Sequence, residues 1–96
     1  MDTLLLSDKD VRALLPMREC IEAMEGALRD VAEGRCALPL RTVIRLGDSP
    51  NAFGAMPAVL GAGPKASVGA KIITVLPGND QTPYDSHIGV VLLFVA

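Results

Sequence analysis

The hydrophobic period of this chain changes once, near residue 36, and no other feature limits its fold as strongly. Met17, Cys20, Ile21, Met24, Leu28 and Val31 recur at helical spacing, while Arg18, Glu19, Glu22, Glu25, Arg29, Asp30 and Glu33 take the remaining faces. The spacing predicts an amphipathic helix closed by Gly34, and Pro39 bars its continuation. From Leu40 onward the apolar residues fall into short, β-branched runs separated by turn residues. Residues 40–46, 52–60, 67–76 and 89–95 read as four strands. Pro57 lies inside the second, which argues for an edge or a bulge there. Upstream, Ser7 can cap a short helix over residues 8–15, with Asp10 at the third helical position, and Pro16 ends that helix or opens the next one. Leu4-Leu5-Leu6 reads as a short strand leading into it. A helical start followed by strands implies an α+β fold, with the N-terminal helices packed on a mixed or antiparallel sheet of about four to six strands and no Rossmann domain.

The 96 residues are enough for a single domain over 1–96 that buries about 65% of its unfolded surface. Half of them are apolar but Phe53, Tyr84 and Phe94 are the only aromatic ones, so the core is expected to be built from Leu, Val, Ile, Ala and Met. The net charge is −2 and the nine Lys and Arg are scattered, which excludes the electrostatic footprint of a nucleic-acid binder. The longest uncharged apolar run, Ile88 to Ala96, falls far short of the roughly 20 residues of a spanning helix, and the start lacks the basic segment of a signal peptide. A cytoplasmic protein without membrane contact is expected. Cys20 and Cys36 lack metal-ligand or CxxC spacing and read as free thiols. His87 is the only histidine, so no metal cluster forms around it.

Gly61-Ala62-Gly63-Pro64-Lys65-Ala66 matches GxGxxA, but the dinucleotide fingerprint requires a helix to open behind the glycines, and Ser67 to Leu76 is extended. A plain loop is the expectation. Lys71 heads an apolar run, AKIITVLPGN. Alternation puts Val68, Ala70, Ile72, Thr74 and Leu76 on one face and Gly69, Lys71, Ile73 and Val75 on the other. The lysine is either an edge guard against sheet pairing or a working group that holds an anion or moves a proton. Arg41 presents the same choice, between a solvated strand residue and a planar fork for a carboxylate. The final strand, Val90 to Val95, is apolar at every position. Strands of that kind are covered on both faces, so either another subunit packs there or the chain is the front part of something longer.

The ordered segments LLLSDKDVRALL, MRECIEAMEGALRDVAEGR, PLRTVI, GAMPAVL, GAKIITVLPGN and SHIGVVLLF resemble the N-terminal part of the ornithine cyclodeaminase and mu-crystallin family across nearly the whole chain. The resemblance implies the substrate-binding and dimerisation lobe of an NAD(P)-dependent enzyme acting on a small amino or imino acid, with the cofactor held by a separate domain and none by this chain. It implies that Arg41 grips the substrate carboxylate and that Lys71 binds the carboxylate or acts catalytically in proton transfer. Met56 and Pro57 match a pocket wall, and His87 falls at a further substrate-side position. Ornithine-specific members resemble ELMP at the pocket strand; Gly54 replaces that acid here, which argues against ornithine. A homodimer, or a higher assembly through the sheet, is expected. The alternative is a stand-alone, non-enzymatic relic that self-associates and binds a small carboxylate or nothing.

Overall fold

The computed structural model describes residues 2–95. Two helices precede five strands: α1 (Asp8–Leu14), α2 (Met17–Ala32), β1 (Cys36–Ala37), β2 (Thr42–Arg45), β3 (Ala52–Leu60), β4 (Ser67–Val75) and β5 (His87–Phe94). The fold is α+β, with the helices packed against one antiparallel sheet, as the change of period predicts. The capping box at α1 closes on both sides. Ser7 N–H donates to an Asp10 carboxylate oxygen at 2.8 Å, and Asp10 N–H donates to Ser7 Oγ at 3.2 Å. At the other end of α2, Gly34 takes φ 73°, Gly34 N–H bonds the Val31 carbonyl at 3.2 Å and Arg35 N–H the Asp30 carbonyl at 2.8 Å. This paired closure satisfies carbonyls that the helix leaves open, and it needs a residue free to be left-handed. Arg35 then reaches back to the carboxylates of Asp30 and Glu33.

Gly61 N–H donates to the Arg35 carbonyl at 2.7 Å, fastening the exit of α2 to the end of β3. β3 is the centre of the sheet. β4 pairs along its full length on one side, and β1 and β2 pair on the other, at opposite ends. β5 completes the order against β4.

Four expectations change. Leu4-Leu5-Leu6 is not a strand, because no other segment pairs with it and an isolated strand has no ladder to join. The two-residue β1 was not anticipated, since Cys-Ala carries no strand signal of its own and is recruited by pairing with Leu60 and Val59. β5 begins at His87, two residues before Gly89. Pro57 lies mid-strand in the central β3, yet locally it is an edge: β2 ends its pairing at Ala55 and β1 begins at Val59, so Met56 to Ala58 have no partner on that side. A proline has no N–H to leave unpaired in such a gap.

The expected single core is not formed by these residues alone. Among the described residues none is fully buried, and the accessible surface is 8140 Å². A compact monomer of this mass would expose about 5300 Å². The radius of gyration is 16.0 Å, against about 12.5 Å for a compact chain of the same length. The apolar residues foreseen as core, Ile21, Met24 and Leu28 of α2 and Val90 to Phe94 of β5, all stand exposed. Two helices, of which only α2 makes more than marginal contact with the sheet, leave too much of both layers uncovered.

Register assigns every strand residue to a face, because directly paired residues point the same way. One face carries Val43 and Arg45 of β2, Gly54 and Met56 of β3, Gly69, Lys71, Ile73 and Val75 of β4, and His87, Gly89 and Val91 of β5. The other carries Ile44, Phe53, Val59, Val68, Ile72, Thr74, Ile88, Val90, Leu92 and Phe94. No strand contains Asp or Glu, so the first face is purely cationic and the second carries no charge.

Candidate functional site

Arg41, Met56 and Lys71 stand side by side across the sheet. Met56 pairs directly with Lys71, which pairs in turn with Val91. Thr42 pairs with Ala55, so Arg41, one residue before β2, continues the register to a position opposite Met56. Two strand spacings separate Arg41 from Lys71, about 10 Å between backbones. Two long cationic side chains on one face at that spacing can meet on a carboxylate held above the methionine between them. Both are exposed, Met56 is half-buried, and neither cation has a carboxylate within ion-pairing distance among the described residues.

Two depressions flank this row. The first, about 100 Å³, is bounded by Arg41, Val43 and Met56, floored by Gly54 and Ala52, and walled by Ile73 and Val75, with Phe53 at its margin. The second, about 290 Å³, opens where the ladder is broken, between Leu38-Pro39-Leu40 and the Met56–Ala58 stretch of β3. Arg41 and Met56 line both, forming the ridge between them. Lys71 lines neither. It lies one strand further over, beside Met56. Gly54 lines the first depression, and a Cβ there would come within 3.4 Å of Ile73 Cγ2, which lines it too.

Of the six segments that carried the resemblance, the first two thus form the helices and the last four fold into one sheet with their cations on one face. A family model described as the ornithine cyclodeaminase/mu-crystallin family matches residues 1–96. The chain belongs to this family. A curated relative, the Delta(1)-pyrroline-2-carboxylate reductase of Bacillus cereus, is 32% identical over 90 residues, covering 94% of this chain and 27% of the relative. The chain therefore spans about a quarter of the length of that relative. No solved structure matches it.

Within this ornithine cyclodeaminase/mu-crystallin chain, His87 shares the cationic face but not the row. It pairs with Val75, four residues along β5 from Val91, about 13 Å from the level of Lys71. Its Nδ1 is hydrogen-bonded to Ser86 Oγ at 3.0 Å. The geometry brings Arg41, Met56 and Lys71 into one row and leaves His87 in another, the row of Val75, Ala52 and Arg45. Cys20 and Cys36 are free and half-buried. No helix of the described residues is long and apolar enough to cross a membrane. No group of three or more His, Cys, Asp or Glu that could hold a metal occurs among them.

The Gly61 loop does not fit a dinucleotide. Gly63–Lys65 forms one 3-10 turn and β4 follows at once, so no helix presents its amide groups to a pyrophosphate.

Arg45 and Asn51 were not singled out by sequence. Arg45 is four residues from Arg41 and on the same face, a relation that alternation along β2 already contains. Asn51 looked like a turn residue, but its Oδ1 accepts from Gly78 N–H at 3.1 Å, tying the β2–β3 turn to the β4–β5 loop. Nothing local signals a contact 27 residues away in sequence.

Proposed function

We propose that this chain is the substrate-binding and dimer-forming lobe of an NAD(P)-dependent enzyme of the ornithine cyclodeaminase/mu-crystallin family that acts on a small α-amino or α-imino acid. The observation that carries this reading is the row Arg41, Met56, Lys71 on the one charged face of the sheet. Arg41 supplies a planar fork and Lys71 a compact charge, so together they neutralise the substrate carboxylate and fix its α-carbon above Met56. In this reading Lys71 also exchanges a proton with the group beside that carbon. On this reading the cofactor is held by a separate domain, in keeping with a Gly61 loop that runs straight into a strand. The 32% identical relative is named for a pyrroline carboxylate, a small cyclic imino acid, which agrees with a hollow of this size.

Self-association follows from the uncovered surface. The chain exposes about 2800 Å² more than a compact monomer of its mass. A standard interface covers about 800 Å² per partner. The uncharged face suits such contact, because covering the cationic face with another subunit would bury unpaired charges.

The test is a titration of the chain with small α-amino and α-imino acids, proline and pyrroline-2-carboxylate included, followed by calorimetry or amide NMR. Binding that Arg41→Ala and Lys71→Ala each weaken about tenfold supports the reading. Binding indifferent to both substitutions defeats it. A chain that binds none of them but still associates would favour the non-enzymatic, self-associating alternative.

A further inference from the structure

We propose that the site selects an α-amino or α-imino acid carrying a second, distal acidic group, and that Arg45 is the residue that selects it. This rests on the carboxylate reading of Arg41 and Lys71 and extends it along β2. The hollow beside Arg41 runs from Met56 at its near end to Ala52 and Val75 at its far end; Arg45 does not itself line it but stands beside that far end, across from Ala52. Ala52 is the direct cross-strand partner of Arg45 and of Val75, and Val75 of His87, so these four stand in one row. A ligand whose carboxylate lies at Arg41 therefore extends over Gly54 and ends in the row of Arg45.

Four residues along β2 separate the two arginines, about 13 Å between backbones. The reach of two arginine side chains covers the difference between that span and a four- or five-carbon diacid. The charges decide which distal group is welcome. The strands hold no carboxylate, and Arg45 has no ion-pair partner among the described residues. A distal ammonium would meet a bare guanidinium there; a distal carboxylate finds a planar fork that matches it. Gly54 keeps the floor between them clear. The acids nearest in sequence, Asp48 in the β2–β3 turn and Asp80 and Asp85 in the β4–β5 loop, lie beyond the strand ends and pair with no strand cation.

Three five-carbon amino acids that differ at the far end provide the test: glutamate, norvaline and ornithine, titrated against the chain and against Arg45→Ala and Arg41→Ala. Glutamate is expected to bind about fivefold tighter than norvaline, the range of an exposed ion pair, and ornithine weakest. Arg45→Ala is expected to bring glutamate to the level of norvaline and leave norvaline unchanged, whereas Arg41→Ala weakens all three. Equal binding of glutamate and norvaline, with norvaline still sensitive to Arg41→Ala, overturns the role of Arg45 and spares the carboxylate site. Ornithine binding tightest overturns it in favour of the loop acids. An equal loss of all three ligands in Arg45→Ala shows a structural role instead, and no binding of any of them overturns both readings.

Discussion

The two faces of the sheet are made by the same strands and differ in nearly everything else. One carries Arg45, Lys71 and His87, with Arg41 at its border, and three glycines, Gly54, Gly69 and Gly89. The other has no charge and no glycine; its residues are mostly β-branched or large, and one of its two threonine hydroxyls is satisfied within the sheet, Thr74 Oγ1 donating to the Ile88 carbonyl at 2.9 Å. A period of two lets one chain write both surfaces at once, a hollowed cationic one and a filled uncharged one. Each face is unfinished without what it would meet.

The sharpest break of that contrast is a charge placed on the uncharged face. Val90 and Val91 are neighbours on β5 that point opposite ways. If subunits meet over the uncharged face, Val90→Asp buries an unpaired carboxylate at the contact and costs more than ~3 kcal/mol, enough to reduce the assembly to monomer at micromolar concentration. Val91→Asp leaves the mass unchanged. Light scattering on both variants reads the answer directly, and the reverse pattern would assign association to the cationic face.

A second break concerns the glycines. A Cβ on Gly69 would lie 2.6 Å from the Leu92 carbonyl oxygen, and one on Gly89 2.6 Å from the Ile72 carbonyl oxygen. Both obstacles are backbone, so the β4–β5 ladder must shift. Gly69→Ala or Gly89→Ala is expected to destabilise by ~1–3 kcal/mol in chemical unfolding. Ala70→Gly, on the opposite face of the same strand, is expected to cost ~1 kcal/mol or less through chain entropy and lost packing. A harmless Gly69→Ala would mean that the close approach on the cationic face is not needed.

The sequence exposed these faces unevenly. Alternation around Lys71 assigned the sides of β4 correctly, and the family segments named Arg41, Met56 and Lys71 before any register was known. What pattern could not supply is adjacency. That Met56 lies between the two cations depends on the offsets of two ladders, and those offsets are set by the Gly47–Asn51 turn and the Gly61–Ala66 loop, not by the strands themselves. The core failed for a related reason. A helix with apolar residues at Ile21, Met24 and Leu28 announces that it will be covered, but periodicity does not say whether the cover comes from the same hundred residues.

The smallest effect is a control on the whole contrast. The Asp10 carboxyl is held below its ordinary value of 3.8, first by the hydrogen bond from the Ser7 backbone N–H and then by the one from the Ser7 hydroxyl. Because the folded state lowers this pKa, its contribution is fully present above the ordinary carboxylate value and fades as pH falls through the folded one. Acidification below about pH 4 is therefore expected to loosen α1, seen as loss of helical chemical shifts over Asp8–Leu14. Asp10→Asn should reproduce that loosening at neutral pH and remove the acid-dependent step. α1 contributes no residue to either face of the sheet, so the variant is expected to keep both its solution mass and its carboxylate affinity. A fall in either would show that the first helix supports one of the faces, and a fall in only one would identify which.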